Sequence, residues 1–160
     1  IRNIATGSIV KRLGIEEGKV LPRPIIEFYL KDDKLNDPIV SEEHIIVFEW
    51  ATHSELEEII SLSARINDFL TGYFYSQKIR LVDFKIEFGR FWSGQDNSIM
   101  LADEISPDNC RLWDILTNKK LDKDRFRQDL GEVDIAYKEV AYRLGVLSEK
   151  EFKKVLKNDF

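Results

Sequence analysis

Cysteine is nearly absent from this chain, and that scarcity is its first constraint. The one thiol, Cys110, excludes an internal disulfide framework and fits a reducing cytoplasm. Histidine is almost as scarce. His44 and His53 lie far in sequence from the charged clusters, read as loop or helix-flank residues, and form no zinc spacing. No apolar run approaches the ~20 residues that span a bilayer, no signal-peptide pattern is recognised, and there is no nucleophile elbow, internal repeat or low-complexity segment. Basic charge is in deficit, with Lys+Arg 24 against Asp+Glu 29 and a net charge of -5. That balance argues against a nucleic-acid surface while leaving room for a local basic pocket. Neither a nucleic acid nor a membrane is an expected partner.

What is present suits one globular domain: 160 residues, 43% hydrophobic and 33% charged. The chain opens Ile1-Arg2-Asn3-Ile4, without Met, and reads as if cut from within a strand, so a fragment of a longer protein is expected.

The stretch Leu81–Gly89 alternates strictly, with Val82, Phe84, Ile86 and Phe88 facing one way and Asp83, Lys85 and Glu87 the other. Two readings stand side by side. One is a solvated outer face with two ion pairs. The other is a metal–phosphate site, in which carboxylates hold magnesium and a lysine neutralises oxygen charge. Ser93-Gly94-Gln95-Asp96-Asn97 then forms a turn-rich cluster, and Ser98–Ala102 reads as the return strand of a hairpin. A turn centred near Gly94-Gln95 puts position 103 across from 86 or 87, so Asp103 falls beside Glu87. Two carboxylates side by side repel unless a cation lies between them.

Elsewhere residues 1–5 predict a strand end, Ile9–Leu13 a short helix stopped by Gly14, residues 15–24 a loop and Ile25–Leu30 a strand. Lys31–Pro38 is a charged loop, and Ser41–Trp50 a short helix. Ser54–Ser76 predicts a long amphipathic helix, with Ser54 and Glu57 as its capping box and Leu56, Ile59, Ile60, Ser63, Ile66, Phe69, Leu70 and Phe74 on its core face. Ser106–Asn109 is a turn, and helices are expected over Asp122–Leu130, Val133–Leu144 and Ser148–Lys157.

Four clusters bear chemistry. Gly7-Ser8 at a helix start offers N–H groups and a hydroxyl to an anion, and Arg2 adds a forked contact; Ser8 as a mere N-cap is the alternative. The Lys31–Asp37 loop carries both signs of charge. Arg111 follows Asp103-Glu104 across a turn, placed to bind phosphate or to pair with Asp108 or Asp114. Lys123, Asp124, Arg125 and Arg127 crowd a helix first turn, where basic residues run against the dipole preference.

The segments Arg2-Asn3-Ile4-Ala5-Thr6-Gly7-Ser8, Val82–Gly89, Asp103–Asp108, Arg111-Leu112-Trp113-Asp114 and Asp122–Arg127, in this order, resemble the signature segments of the SAICAR synthetase family, with bacterial-type spacing up to Gly145. The chain departs at Ala102 and Glu132, where the family usually has glycine, and in a longer Trp92–Asn97 loop. The resemblance implies the family's C-terminal α+β domain over residues 1–160, a mostly antiparallel sheet with packed helices. It also implies a kinase-like N-terminal β lobe, gripping ATP, that this chain does not include.

By the same resemblance the activity is ATP-dependent joining of L-aspartate to the carboxylate of carboxyaminoimidazole ribonucleotide, with Mg2+. Arg2, Ser8 and Arg111 match the ribonucleotide-phosphate residues, and Glu87 and Asp103 the metal and ATP-phosphate carboxylates. Lys31 and Asp37 match the residues lining the nucleotide and substrate pocket, and Asp83 and Lys85 belong to the catalytic signature strand. Lys123 and Arg127 are the candidates for the aspartate carboxylates. A cytoplasmic homodimer is the implied setting. A non-catalytic ribonucleotide- and Mg-binding domain is the alternative for the chain as it stands.

Overall fold

The computed structural model describes residues 1–127 and 133–158. Its centre is a four-stranded antiparallel sheet in the order β2-β1-β5-β8, built from β1 (Arg2–Ile4), β2 (Val20–Ile25), β5 (Ile79–Phe84) and β8 (Cys110–Asp114). Two small ribbons flank it: β3 (Phe28–Tyr29) with β4 (Ile39–Val40), and the hairpin β6 (Phe88–Trp92) with β7 (Asn97–Leu101). The helices are α1 (Ser8–Leu13), α2 (Glu42–Val47), α3 (His53–Ser76), α4 (Asp124–Arg127), α5 (Val133–Arg143) and α6 (Glu149–Asn158). This is the α+β arrangement expected.

The main core lies between the sheet and the helices α3 and α5. Leu70 and Phe74 from α3 and Val140 from α5 pack on Ile79, Leu81, Phe84 and Leu112. A smaller cluster, Ile4, Val82 and Trp113, stands apart from it. The strict alternation expected through 81–89 fails here for a definite reason. Leu81 and Phe84 both join the main core, although a regular strand turns residues three apart to opposite faces. The register slips between Leu81 and Asp83, so an irregularity in β5 resets the facing. Val82 and Phe84 therefore belong to different clusters, β5 ends at Phe84, and Lys85–Glu87 is a connection rather than strand.

Other expectations are also corrected. Residues 20–25 form a strand, not a loop. Pro22 and Pro24 are tolerated because β2 is a sheet edge, where a missing N–H leaves no partner unsatisfied. The strand expected over Ile25–Leu30 is divided between the end of β2 and β3. β8 was not foreseen at all. The cap of α3 is Thr52 with Glu55, two residues before the expected Ser54 pair. Phe69 is exposed, stacking on Tyr73 rather than entering the core, while Asn67 takes a buried position. The helix end expected at Leu130–Gly131, and Glu132, lie outside the described residues.

Several expectations hold. Gly14 closes α1 in the left-handed region. Ser41 caps α2, and Ser148 and Glu151 bond reciprocally at the start of α6. No helix among the described residues is long and apolar enough to cross a membrane.

Candidate functional site

The register of three neighbouring strands builds the site. Arg2 on β1 lies opposite Asp83 on β5, and Asp83 lies opposite Arg111 on β8. An arginine–aspartate–arginine row thus crosses the sheet. Asp83 accepts from Arg2 Nη1 at 3.0 Å and from Arg111 Nη1 at 3.0 and 2.8 Å. Burial raises the Asp83 carboxyl above its ordinary value, against the pull of Arg111 and Arg2. This buried aspartate, assigned to catalysis on the sequence, serves in the structure as the anchor of two guanidiniums.

Arg2 is saturated. Nε donates to Glu27, Nη1 to the Thr6 carbonyl and Asp83, and Nη2 to Ser8 Oγ at 2.8 Å and Tyr29 Oη at 3.1 Å. Arg111 donates through Nε to Asp124 at 2.6 Å, but among the described residues its Nη2 has no hydrogen-bond partner. That Nη2 lies over Gly7, where a Cβ would stand 2.8 Å from it. Gly7 precedes Ser8, the first residue of α1, so a free guanidinium arm, the Ser8 hydroxyl and the first amides of α1 share one corner. Arg111 pairs with Asp83 and Asp124, not with Asp108 or Asp114 as the sequence suggested. Asp114 instead binds Thr117 and Arg143, whose hydrogen bonds hold it low against the upward push of burial.

A second charged group gathers around Glu87. Lys31 donates to one of its carboxylate oxygens and Lys85 to the other, at 2.7 Å. The hydrogen bonds from Lys31 and Lys85 hold Glu87 below the usual carboxylate range. Phe88 pairs with Leu101, and the Ala102 amide donates to the Glu87 carbonyl, so Asp103 falls across from Ile86, within the predicted register but one residue past the partner of Glu87. Asp103 adds to the field that raises the Lys31 ammonium, after the larger effect of Glu87. Among the described residues no three metal-ligating side chains cluster. Glu87, with Asp103 acting on the same Lys31 ammonium, still fits Mg2+ in its common mode, one or two protein carboxylates with phosphate oxygens completing the shell, and does not fit an all-protein cage.

Both groups line one open cleft of about 830 Å³. Arg2, Ser8, Asp83 and Arg111 belong to its wall, as do Lys31, Lys85 and Glu87. Asp37 lines it too, while its carboxylate also accepts from the Asp32 amide at 2.9 Å and braces its own loop. Lys123 lines it 3.7 Å from Asp108. Asp103 does not line it; Asn109, which does, donates to the Asp103 carboxylate at 3.4 Å. The side chain of Arg127 lies outside the described residues. Apolar side chains including Ile45, Leu56, Ile59 and Ile86 line the remaining wall.

Sequence reasoning missed Glu27, Tyr29 and Asp124, which bond the two arginines directly. Glu27 and Tyr29 sit in a short apolar-flanked stretch with no charge pattern. Asp124 was visible only as an acid offsetting its basic neighbours. It also missed Asp122, 1% exposed, whose carboxylate accepts from the Leu112 and Asp124 amides and closes the edge of β8. Burial pushes Asp122 up to about 6.

An antiparallel sheet flooring a cleft lined by guanidiniums, lysines and acids defines a ligand-binding α+β domain of the kind that handles anionic small molecules. Comparison gives the particular family. Residues 1–144 match the family model of SAICAR synthetase. A phosphoribosylaminoimidazole-succinocarboxamide synthase of Gluconacetobacter diazotrophicus is 62% identical over 149 residues, 93% of this chain and 59% of the relative. The crystal structure of the Ehrlichia chaffeensis enzyme of that name superposes with a TM-score of 0.88 at 52% identity, covering 92% of this chain and 62% of that one. A SAICAR synthetase solved in complex with ADP superposes at 0.84 and 44% identity, covering 89% and 60%. The chain belongs to the SAICAR synthetase family. It spans about 59% of the length of such curated relatives.

Proposed function

We propose that this chain is the substrate-binding part of an ATP-dependent ligase that joins L-aspartate to the carboxylate of carboxyaminoimidazole ribonucleotide, giving the succinocarboxamide, ADP and phosphate. The observation that carries this reading is the pairing of two charged groups in one cleft, one with a free guanidinium arm over a helix start and one with two lysines on the Glu87 carboxylate. The first fits the ribonucleotide phosphate through Arg111 and Ser8, with Arg2 adding its charge and holding the Ser8 hydroxyl. The second fits ATP phosphates, with Lys31 and Lys85 neutralising charge and Glu87 and Asp103 holding Mg2+. When bound, Mg2+ supplies electrostatic stabilisation of the transferring phosphoryl group. That a structural relative was solved with ADP supports a nucleotide in this family.

The reaction runs in two stages. The ribonucleotide carboxylate attacks the γ-phosphorus, forming an acyl phosphate and releasing ADP; the aspartate amine then attacks the acyl carbon, and phosphate leaves. Arg111, locked by Asp83, holds the substrate phosphate end beside the Arg2-fixed Ser8 hydroxyl, so that its carboxylate is presented toward Lys85. Lys123 and Arg127 are the cations proposed for the aspartate carboxylates. A homodimer in the cytoplasm is the proposed setting.

Because the chain spans about 59% of its relatives, a second reading is that it binds the ribonucleotide without turning it over. An aspartate-dependent ADP-release assay with Mg2+, run beside calorimetric titration of the ribonucleotide, separates them. Turnover supports the ligase in this chain, binding without turnover supports the second reading, and neither binding nor turnover overturns both.

A further inference from the structure

Glu27 is a carboxylate at the phosphate corner that nothing in the reaction requires. It lines the cleft, its side chain is 10% exposed, and it accepts from three groups on three different elements. Arg2 Nε of β1 donates to it at 2.8 Å, Tyr29 Oη of β3 at 2.7 Å, and Arg12 Nη2 of α1 completes the set. Despite the upward push of burial, the bonds from Tyr29 and Arg2 and the charge of Arg12 hold it ionised, below the usual range.

Two groups of the proposed phosphate corner depend on it. Nε of Arg2 fixes the plane of the guanidinium, and Glu27 is its acceptor. Arg12 lies on the same short helix that begins with Ser8, so its bond to Glu27 ties that helix to the same point. The Arg2 Nη2–Ser8 Oγ contact of 2.8 Å is what this double tether aligns. The cluster is also electrically balanced, with Arg2, Arg12 and Arg111 against Glu27, Asp83 and Asp124. A carboxylate retained beside an incoming phosphate opposes binding by its charge, so its presence calls for a geometric reason.

We propose that Glu27 is a positioning residue for the ribonucleotide phosphate, aligning Arg2 and, through Arg12, the helix that carries Ser8. This rests on the reading of the corner as the phosphate site. Charge and geometry predict opposite results on neutralisation. If Glu27 acts only by charge, Glu27→Gln relieves repulsion and tightens phosphate binding. If it positions, Glu27→Gln loosens binding although the corner has become more positive.

The test is calorimetric titration of the chain with carboxyaminoimidazole ribonucleotide and, separately, with the matching nucleoside lacking the phosphate. We expect Glu27→Gln to weaken ribonucleotide binding tenfold or more with nucleoside binding unchanged, and Glu27→Asp, which keeps the charge on a shorter arm, to recover part of the loss. Tighter or unchanged ribonucleotide binding in Glu27→Gln overturns the proposal, as does an equal loss for both ligands. Should Glu27→Gln fail to fold, Glu27→Asp alone decides, since wild-type ribonucleotide affinity in it is incompatible with a tether of fixed length. A wild-type chain that does not bind the ribonucleotide overturns the underlying reading instead.

Discussion

Arg111 keeps one arm open because the residue beneath it has no side chain. Gly7 sits at φ 64, ψ -130, a conformation that costs any other residue on the order of 1–3 kcal/mol. A methyl group there would also meet the Arg111 guanidinium at 2.8 Å. Gly14, at the other end of α1, shares the positive φ but opens onto free space. Gly7→Ala is therefore expected to lower ribonucleotide affinity tenfold or more, whereas Gly14→Ala loses about 1 kcal/mol of stability with affinity kept. Titration of both variants checks this, and wild-type affinity in Gly7→Ala sinks the phosphate assignment. Cys110 behaves as the opposite kind of residue. It is 2% exposed in the main core, and burial pushes its thiol up to about 12. Native protein is expected to show no fast reaction with Ellman's reagent at pH 8, and one thiol per chain in urea. Prompt labelling of the native state would mean that the β5–β8 seam opens.

Elements with local signals were legible from the residues alone. The amphipathic period of α3, the glycine stop of α1 and the Ser148–Glu151 box each rest on residues within a turn of one another. β8 was not, because Cys-Arg-Leu-Trp-Asp has neither clean alternation nor turn residues before its partner is known. It is strand because β5 offers it a ladder and the Asp122 carboxylate caps its outer edge, both long-range facts. The start of α3 shows how a local signal misplaces by a residue or two. Ser54–Glu57 and Thr52–Glu55 both satisfy the capping pattern, and the chain uses the second, where Arg90 on β6 also binds Glu55 at 2.5 Å. The bonds from Arg90 and Thr52 hold the Glu55 carboxyl low, at about 2. We expect Thr52→Ala to cost about 1 kcal/mol in urea unfolding and Ser54→Ala less than about 0.5. Equal losses would mean that the helix starts where the sequence alone put it.

Across the whole molecule the site is a product of register. Most of the site residues were legible as types and motifs, but what they do to one another was not, because Arg2, Asp83 and Arg111 lie on three strands and meet only once β1 and β8 flank β5. The same assembly buries Asp122 behind β8, and that burial fixes the sign of a pH effect on the fold. Its folded value of about 6 lies above the ordinary 3.8. The stability this group contributes is therefore fully present below about pH 4 and is lost as pH rises through 6. At roughly 1.4 kcal/mol per unit, the swing is on the order of 3 kcal/mol. Lowered carboxylates such as Glu55 act in the reverse sense, losing their contribution as pH falls through the range from 4.5 to about 2. Asp122→Asn removes the titration but leaves one backbone N–H facing an amide NH2, so the variant is expected to be less stable at every pH. Its deficit relative to wild type should nonetheless shrink by about 3 kcal/mol between pH 4 and pH 7, because only the wild type loses stability over that interval. Urea unfolding of both proteins at half-unit steps measures the difference. Parallel stability curves would show that Asp122 is already ionised at pH 4, held as a carboxylate by the Leu112 and Asp124 amides. A deficit that grows with pH would reverse the sign and place the folded value below 3.8.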